Sequence, residues 1–270
     1  MKSKRPAPII VFITGAFVTH NCWDQWKPFF ESQGYACYAP AWPHKDAPAA
    51  VLRSQHPHSP IAQNGLQDVL KLYSDFIAQL PAKPIVIGHS YGGLIVQLLL
   101  QQDSVAAGVA IESAPPLGVV ALSWSLVRSV LPMLGLFSST KTTFLPSFSQ
   151  WQNAIANGLP LTDQEAFYER LLAPESKKVI REALSLRARV DFRRPHAPLL
   201  FLAGGTDRIM PAVLNHANFQ RYRHAQSVTD YHELPGRCHA MLGQSTWRED
   251  AAFVLRWLSE LKVAAVAPQT

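Results

Sequence analysis

The chain has 270 residues, 48% of them hydrophobic and 16% charged, with 21 Pro and 14 Gly. This composition supports a sizeable core and excludes a disordered chain, which would combine low hydrophobicity with high charge. The net charge of +6 admits acidic partners, but no dense Lys/Arg face with interleaved aromatics argues for nucleic acid.

Lys2, Lys4 and Arg5 precede an apolar run at 9–13. Pro6 and Pro8 stand before the run, and no small-x-small cleavage site follows a full-length apolar region. The stretch therefore reads as a first strand behind a short basic tail, not as a signal peptide. Residues 8–14 are continuously apolar and β-branched, as in a strand covered on both faces. Residues 23–33 predict a helix with Trp23, Trp26, Phe29 and Phe30 on one face and Gly34 after its end. A short strand follows at 35–39, then a Pro- and His-rich loop at 44–60. Residues 63–80 carry Leu66, Val69, Leu70, Tyr73, Phe76 and Ile77 at helical spacing. A third strand is expected at 84–88, an apolar helix at 91–102 and a fourth strand at 106–111. Strands alternating with helices imply a mostly parallel sheet flanked by helices on both faces.

Residues 115–196 interrupt the alternation and contain no convincing strand. An insertion of about eighty residues far exceeds ordinary loop lengths and predicts a helical cap over the strand ends. Its first half is apolar and aromatic, with Trp124, Phe144 and Trp151, and is expected to face a pocket. Its second half is charged and is expected to face solvent. Residues 117–137 are apolar enough to suggest a membrane span. Arg128 in the middle and Pro132 after it are costly in lipid, so a buried or lid segment is expected and no membrane span. The alternation resumes with a strand at 198–203, a helix at 212–222, a strand at 228–234 and a helix at 246–261. A frayed tail is expected at 264–270. The expected division is a core of 1–114 with 197–270, and an inserted cap of 115–196.

The chemistry is carried by Gly88-His89-Ser90-Tyr91-Gly92, a G-x-S-x-G motif between a strand and a helix. Glycines at both ends let the two backbones meet at a sharp turn that exposes the Ser90 hydroxyl. A Ser needs a base, and the motif requires the order Ser, then acid, then His. Asp207 stands just beyond the strand at 198–203, and His239 on the loop after 228–234. Parallel strands share a C-terminal edge, so both belong beside Ser90. Glu112, at the end of the strand after the nucleophile, is the competing acid. His89 is expected to point away from the site. His44, His56 and His58 have no recognised metal spacing, and neither metal nor cofactor is expected. Cys22, Cys37 and Cys238 are too few for a disulfide framework and lack metal-ligand spacing, which fits a reducing compartment and a cytoplasmic protein.

On these motifs the chain resembles the α/β-hydrolase fold superfamily nearly end to end. Thr14-Gly15-Ala16, then Trp23 and Lys27-Pro28, is similar to its small-molecule esterase and hydroxynitrile-lyase branch, with Thr14 where that branch has His. The resemblance implies a catalytic set of Ser90, Asp207 and His239, with oxyanion donors at the Ala16 and Tyr91 backbone N–H groups. A Ser at the elbow speaks against the haloalkane dehalogenase and epoxide hydrolase branches, which use a carboxylate nucleophile. The implied activity is hydrolysis of carboxylic esters of small to medium, partly apolar molecules. The alternatives are C–C cleavage, cyanohydrin lysis or acyl transfer by the same triad, or a non-catalytic receptor, against which the intact Ser, Asp and His count. The segment 115–196 holds ten Lys/Arg and six Asp/Glu. Its Arg187, Arg189, Arg193 and Arg194 cluster reads as a solvated face in preference to an anion site.

Overall fold

The computed structural model describes residues 7–120, 134 and 138–261. The N-terminal basic residues, Trp124, Arg128, Pro132 and the tail at 264–270 lie outside the described residues.

The core strands are β1 (Ile9–Ile13), β2 (Ala36–Tyr38), β3 (Ile85–His89) and β4 (Ala107–Ile111). Between them lie the helices α1 (Trp26–Ser32), α2 (Ala49–Ser54), α3 (Leu66–Ala78) and α4 (Tyr91–Gln101). The inserted segment contributes β5 (Thr143–Phe144), α5 (Phe148–Ala154), α6 (Leu161–Leu171), β6 (Glu175–Ser176) and α7 (Lys177–Glu182). The chain then closes with β7 (Leu199–Gly204), α8 (Ala212–Phe219), β8 (Thr229–Leu234) and α9 (Trp247–Glu260).

Six strands form one sheet in the order β2-β1-β3-β4-β7-β8, every pair parallel. Side-chain alternation divides the core into two layers. Val11, Ile13 and Val86 pack with Leu66, Val69 and Tyr73 of α3 and Leu94 and Leu98 of α4. Ile10, Phe12, Ile85 and Ile87 pack with Trp26 and Phe30 of α1 and Val254 and Leu258 of α9. Each such fully buried side chain contributes about 1.5–3 kcal/mol relative to exposure. Because both faces are covered, the central strands read as unbroken apolar runs. Register aligns the strand ends: Ile13 with Gly88, His89 with Ile111, and Ile111 with Leu202. The segments carrying Ala16, Ser90, Glu112, Asp207 and His239 all leave from that edge.

Three local expectations are corrected. The loop at 44–60 contains α2, which buries Ala49 and Leu52; six residues between prolines are too few to show a helical period. The inserted segment is not purely helical, since Thr143 pairs with Ser176 and Phe144 with Glu175 in an antiparallel ladder. Strands of two residues carry no readable alternation. The second half of the segment is not confined to solvent, because Leu171 and Val179 are buried. Among the described residues no helix is long and apolar enough to cross a membrane.

The approach of β3 to α4 sets the tightest constraint. A Cβ on Gly88 would collide with the carbonyl of Gly92, and a Cβ on Gly92 with the carbonyl of Ile13. Both obstacles are backbone and cannot swing aside. Gly88→Ala should therefore cost about 3 kcal/mol, as severe overpacking does. It should lower the urea midpoint without changing the denaturant slope, and a parental midpoint would show that the backbones have room.

Candidate active site

Ser90 sits at φ 57, ψ −119, between the end of β3 and the first turn of α4. A residue other than glycine is uncommon at positive φ, and the backbone is held there on several sides. Ser90 donates its N–H to Ile111 O at 2.9 Å, while its carbonyl accepts from Gly93 and Ala114, each at 2.9 Å. The side chain therefore stands at the tip of the turn.

His239 reaches it from the loop after β8. Its Nε2 lies 2.9 Å from Ser90 Oγ, and its Nδ1 lies 2.7 Å from Asp207 Oδ2. A carboxylate only accepts, so Nδ1 carries the proton and Nε2 is left to accept from the Ser90 hydroxyl. The other oxygen of Asp207, Oδ1, accepts N–H bonds from Ile209 at 2.8 Å and Met210 at 2.9 Å. These fix the carboxylate plane. The two loops are tied together, because Thr206 donates both its N–H (2.9 Å) and its hydroxyl (2.8 Å) to Arg237 O. Arg237 is itself paired with Asp250 at 2.9 Å. Gln244 Oε1 accepts the Cys238 N–H at 2.8 Å, which closes the histidine loop on itself.

Glu112, the competing acid, is fully buried and lies 3.6 Å from His239 Nδ1, outside hydrogen-bond reach. Asp207 holds that nitrogen. Glu112 Oε2 instead lies 3.1 Å from His89 Nε2, and Oε1 has no hydrogen-bond partner. Burial, then the nearby Asp207 charge, pushes the Glu112 carboxyl well above the usual carboxylate range. His89 departs from expectation. It does not point away; its ring lies 4.7 Å from that of His239, and its Nε2–H donates to His239 O at 2.9 Å. Burial holds it well below the usual imidazole range, so it acts as a neutral donor to the backbone beside His239. The position next to Ser90 in sequence says nothing of which way the strand's last side chain turns. That depends on the neighbouring strand's Glu112.

Ala16 and Tyr91 both line the cavity at Ser90, and no described hydrogen bond uses the N–H of either. Tyr91 opens α4, where the first N–H groups have no intrahelical acceptor. The cavity holds about 440 Å³, within the range of small-molecule sites. Val18, Trp151, Ile155, Phe167, Ile180 and Met210 form part of its wall, and among the described residues no Asp, Glu, Lys or Arg lines it. Both halves of the inserted segment therefore contribute. Phe144 is not in the wall; it packs edge-on against Phe17 with ring centroids 5.9 Å apart. Arg187, Arg189, Arg193 and Arg194 are exposed, and Arg187 pairs with Glu182 at 3.0 Å.

His89, Glu112 and His239 bring metal-ligand atoms within 4.8 Å of one another. Their nitrogens are already engaged: both of His239 with Ser90 and Asp207, and Nε2 of His89 as a donor to a carbonyl. His44, His56 and His58 do not form such a group among the described residues. Cys22, Cys37 and Cys238 are free thiols, and burial pushes Cys22 and Cys37 up to about 12, far from reactive thiolates.

A family model described as the alpha/beta hydrolase family matches residues 10–254. Among solved structures the chain is similar to a methylesterase protein from Arabidopsis, with 14% identity, a TM-score of 0.66, and coverage of 94% of this chain and 99% of that one. It is similar to a Paleococcus ferrophilus monoacylglycerol lipase at 19% identity and TM-score 0.68, covering 94% and 96%. It is also similar to tomato methylketone synthase I at 15% identity and TM-score 0.68, covering 95% and 99%. At such identities the likeness is one of fold. No curated protein sequence gives a significant match.

The two acids should separate in kinetics. Asp207→Asn should lower kcat by about 10⁴-fold through the wrong imidazole tautomer, whereas Glu112→Gln should keep it within about threefold. Steady-state rates that fell equally in both would deny Asp207 its distinct place.

Glu112 should also show in stability. The folded chain keeps a proton on this carboxyl that the unfolded chain releases above about pH 4.3. Stability therefore falls as pH rises above that value. His89 has the opposite sign, its contribution being lost as pH falls below about 6.5, and it is common to parent and variant. The stability gap between Glu112→Gln and the parent should widen from about pH 4 to about pH 7, by at most about 1.4 kcal/mol per pH unit. Urea titrations giving an equal gap at both values would mean that Glu112 ionises in the folded chain.

Proposed function

The chain belongs to the alpha/beta hydrolase family, and on that premise we propose that it is a serine esterase acting on neutral esters with an apolar acyl or alcohol portion. The observation that carries the reading is the bridge made by His239, 2.9 Å from Ser90 and 2.7 Å from Asp207, at the wall of an apolar cavity.

In this mechanism the neutral imidazole of His239 takes the Ser90 proton as Oγ attacks the acyl carbon. Asp207 keeps the proton on Nδ1 and stabilises the imidazolium that forms. The Ala16 and Tyr91 N–H groups receive the oxyanion, each such donor being worth about 3 kcal/mol of transition-state stabilisation. His239 then protonates the leaving alcohol and activates the water that frees the acid. Apolar walls exclude bulk water, which strengthens every one of these electrostatic interactions.

The inserted segment 115–196 serves as the cap over this site, with Trp151 and Ile155 from its first half and Phe167 and Ile180 from its second gripping the apolar group. Among the described residues no cation lines the wall, and such a lining disfavours substrates bearing a free carboxylate, whose lost hydration it does not replace. The small-molecule ester is the partner, and no step calls for a cofactor.

A panel of p-nitrophenyl esters from acetate to octanoate tests the reading. The parent should hydrolyse them, and Ser90→Ala should lower kcat by about 10⁴-fold or more. Turnover unchanged by Ser90→Ala would end the serine-esterase assignment. Ala183, half-buried in the cavity wall, offers a test of the pocket. Ala183→Phe should lower the octanoate-to-acetate ratio of kcat/KM by about tenfold, the scale on which apolar pockets discriminate. An unchanged ratio in a folded variant would remove this wall from the acyl site.

A further inference from the structure

A buried ion pair lies just behind the loop that carries Ala16. Glu175 in β6 is fully buried, and its Oε2 lies 2.6 Å from Nζ of Lys45, whose side chain is 2% exposed. That same oxygen accepts the backbone N–H of Phe17 at 3.1 Å. The other oxygen, Oε1, accepts the N–H of Ser176 at 2.9 Å, and the Lys45 ammonium lies 5.0 Å from the Trp42 ring centroid. The carboxylate is thus fixed on both sides, with one position aimed at Phe17.

Phe17 has φ 66, a conformation that a bulky residue takes only when its surroundings impose it. The neighbouring backbone supplies part of that hold. Phe17 O accepts from Ala173 at 2.8 Å, Thr19 donates to Leu171 O at 3.0 Å, and Val18 bridges to Leu172. The Phe17 N–H itself is bound by the Glu175 carboxylate, which belongs to the inserted segment. It sits on the peptide that joins Ala16 to Phe17, one peptide plane beyond the Ala16 N–H. Rotation of that plane changes ψ at Ala16, so the hold on Phe17 N–H restrains the backbone immediately beside the Ala16 donor.

Stability alone gives a poor account of the pair. Well-packed apolar residues of similar volume often replace a buried ion pair at no cost, and an acceptor for Phe17 N–H is what such a replacement would lose. We infer that Glu175 is a positioning residue for the oxyanion loop, its carboxylate aimed by Lys45, so that the inserted segment sets the geometry of the donor at Ala16. This rests on the serine-esterase reading above.

The test compares two doubly substituted chains in which the charges are gone. Lys45→Met with Glu175→Gln keeps a carbonyl oxygen for Phe17 N–H, whereas Lys45→Met with Glu175→Met does not. The first should hold kcat for p-nitrophenyl butyrate within about threefold of the parent. The second should lose about 100-fold in kcat with KM nearly unchanged, the scale of a misplaced oxyanion donor. Phosphonylation of Ser90 by a p-nitrophenyl phosphonate should slow in parallel, and thermal unfolding checks that both chains fold. Equal kcat in the two folded double variants, or a loss confined to KM, would overturn the inference. If the second does not fold, Glu175→Asp decides. Its shorter side chain cannot hold both Lys45 and Phe17, so kcat should fall about tenfold at constant KM, and parental kcat would overturn the inference. A parent with no Ser90-dependent turnover would remove the esterase reading and this inference together. Turnover in the parent that persists unchanged in every variant would remove this inference alone.

Discussion

Three backbones meet where β1, β3 and α4 converge, and the organisation of the site depends on that approach. Gly88 and Gly92 lack the Cβ that would strike the neighbouring carbonyls of Gly92 and Ile13. With the gap closed, Ser90 is forced to φ 57 and is held by Ile111, Gly93 and Ala114. The proposed nucleophile is therefore positioned by main chain on all sides. Main chain fixes where its side chain emerges, His239 Nε2 receives the hydroxyl at 2.9 Å, and the strain is carried by the surrounding sheet.

Around this point the structure arranges buried polar groups in a mainly apolar setting. Asp207 is oriented by two backbone N–H groups, and His239 by Asp207. Glu112 and His89 are handled differently: burial pushes one up and the other down, so both sit as neutral groups under the histidine loop. Of the two acids near one imidazole, Asp207 accepts two backbone N–H bonds, whereas one oxygen of Glu112 has no hydrogen-bond partner. The one with hydrogen bonds to its charged form is the one on Nδ1. Lys45 and Glu175 take the third course open to buried charge, pairing with each other and spending a spare lone pair on Phe17.

The inserted segment connects these features. Its strand β6 and the stretch from Leu171 to Ala173 lie along Phe17, Val18 and Thr19, and residues from both its halves reach the cavity. A division into an apolar half for the pocket and a charged half for solvent does not describe it. In the second half the charges of Arg187, Arg189, Arg193 and Arg194 are exposed, but Phe167, Leu171 and Ile180 turn inward. Helices of two or three turns show a charged face and an apolar face in the same stretch, and composition averages the two. Trp151 and not Phe144 is in the wall, because Phe144 is spent on Phe17.

What the residues alone determined is the part governed by local rules. Apolar runs marked the buried parallel strands, helical spacing marked α3, and G-x-S-x-G between strand and helix marked the elbow, where Gly88 answers a steric demand from Gly92 within five residues and Gly92 one from Ile13 of β1. The placement of Ser90, Asp207 and His239 at one edge follows because parallel strands share a C-terminal edge. Two-residue strands, the short α2, the turn of His89 and the partner of Glu112 were decided only by tertiary structure. Each depends on a contact across the fold: His89 meets Glu112 and His239, and Glu175 meets Lys45 and Phe17, more than a hundred positions away. Glu175 was marked by no local pattern in the sequence. Its meaning lay in the burial of a charge, and which lysine and which N–H would satisfy it is set by packing that no local pattern encodes.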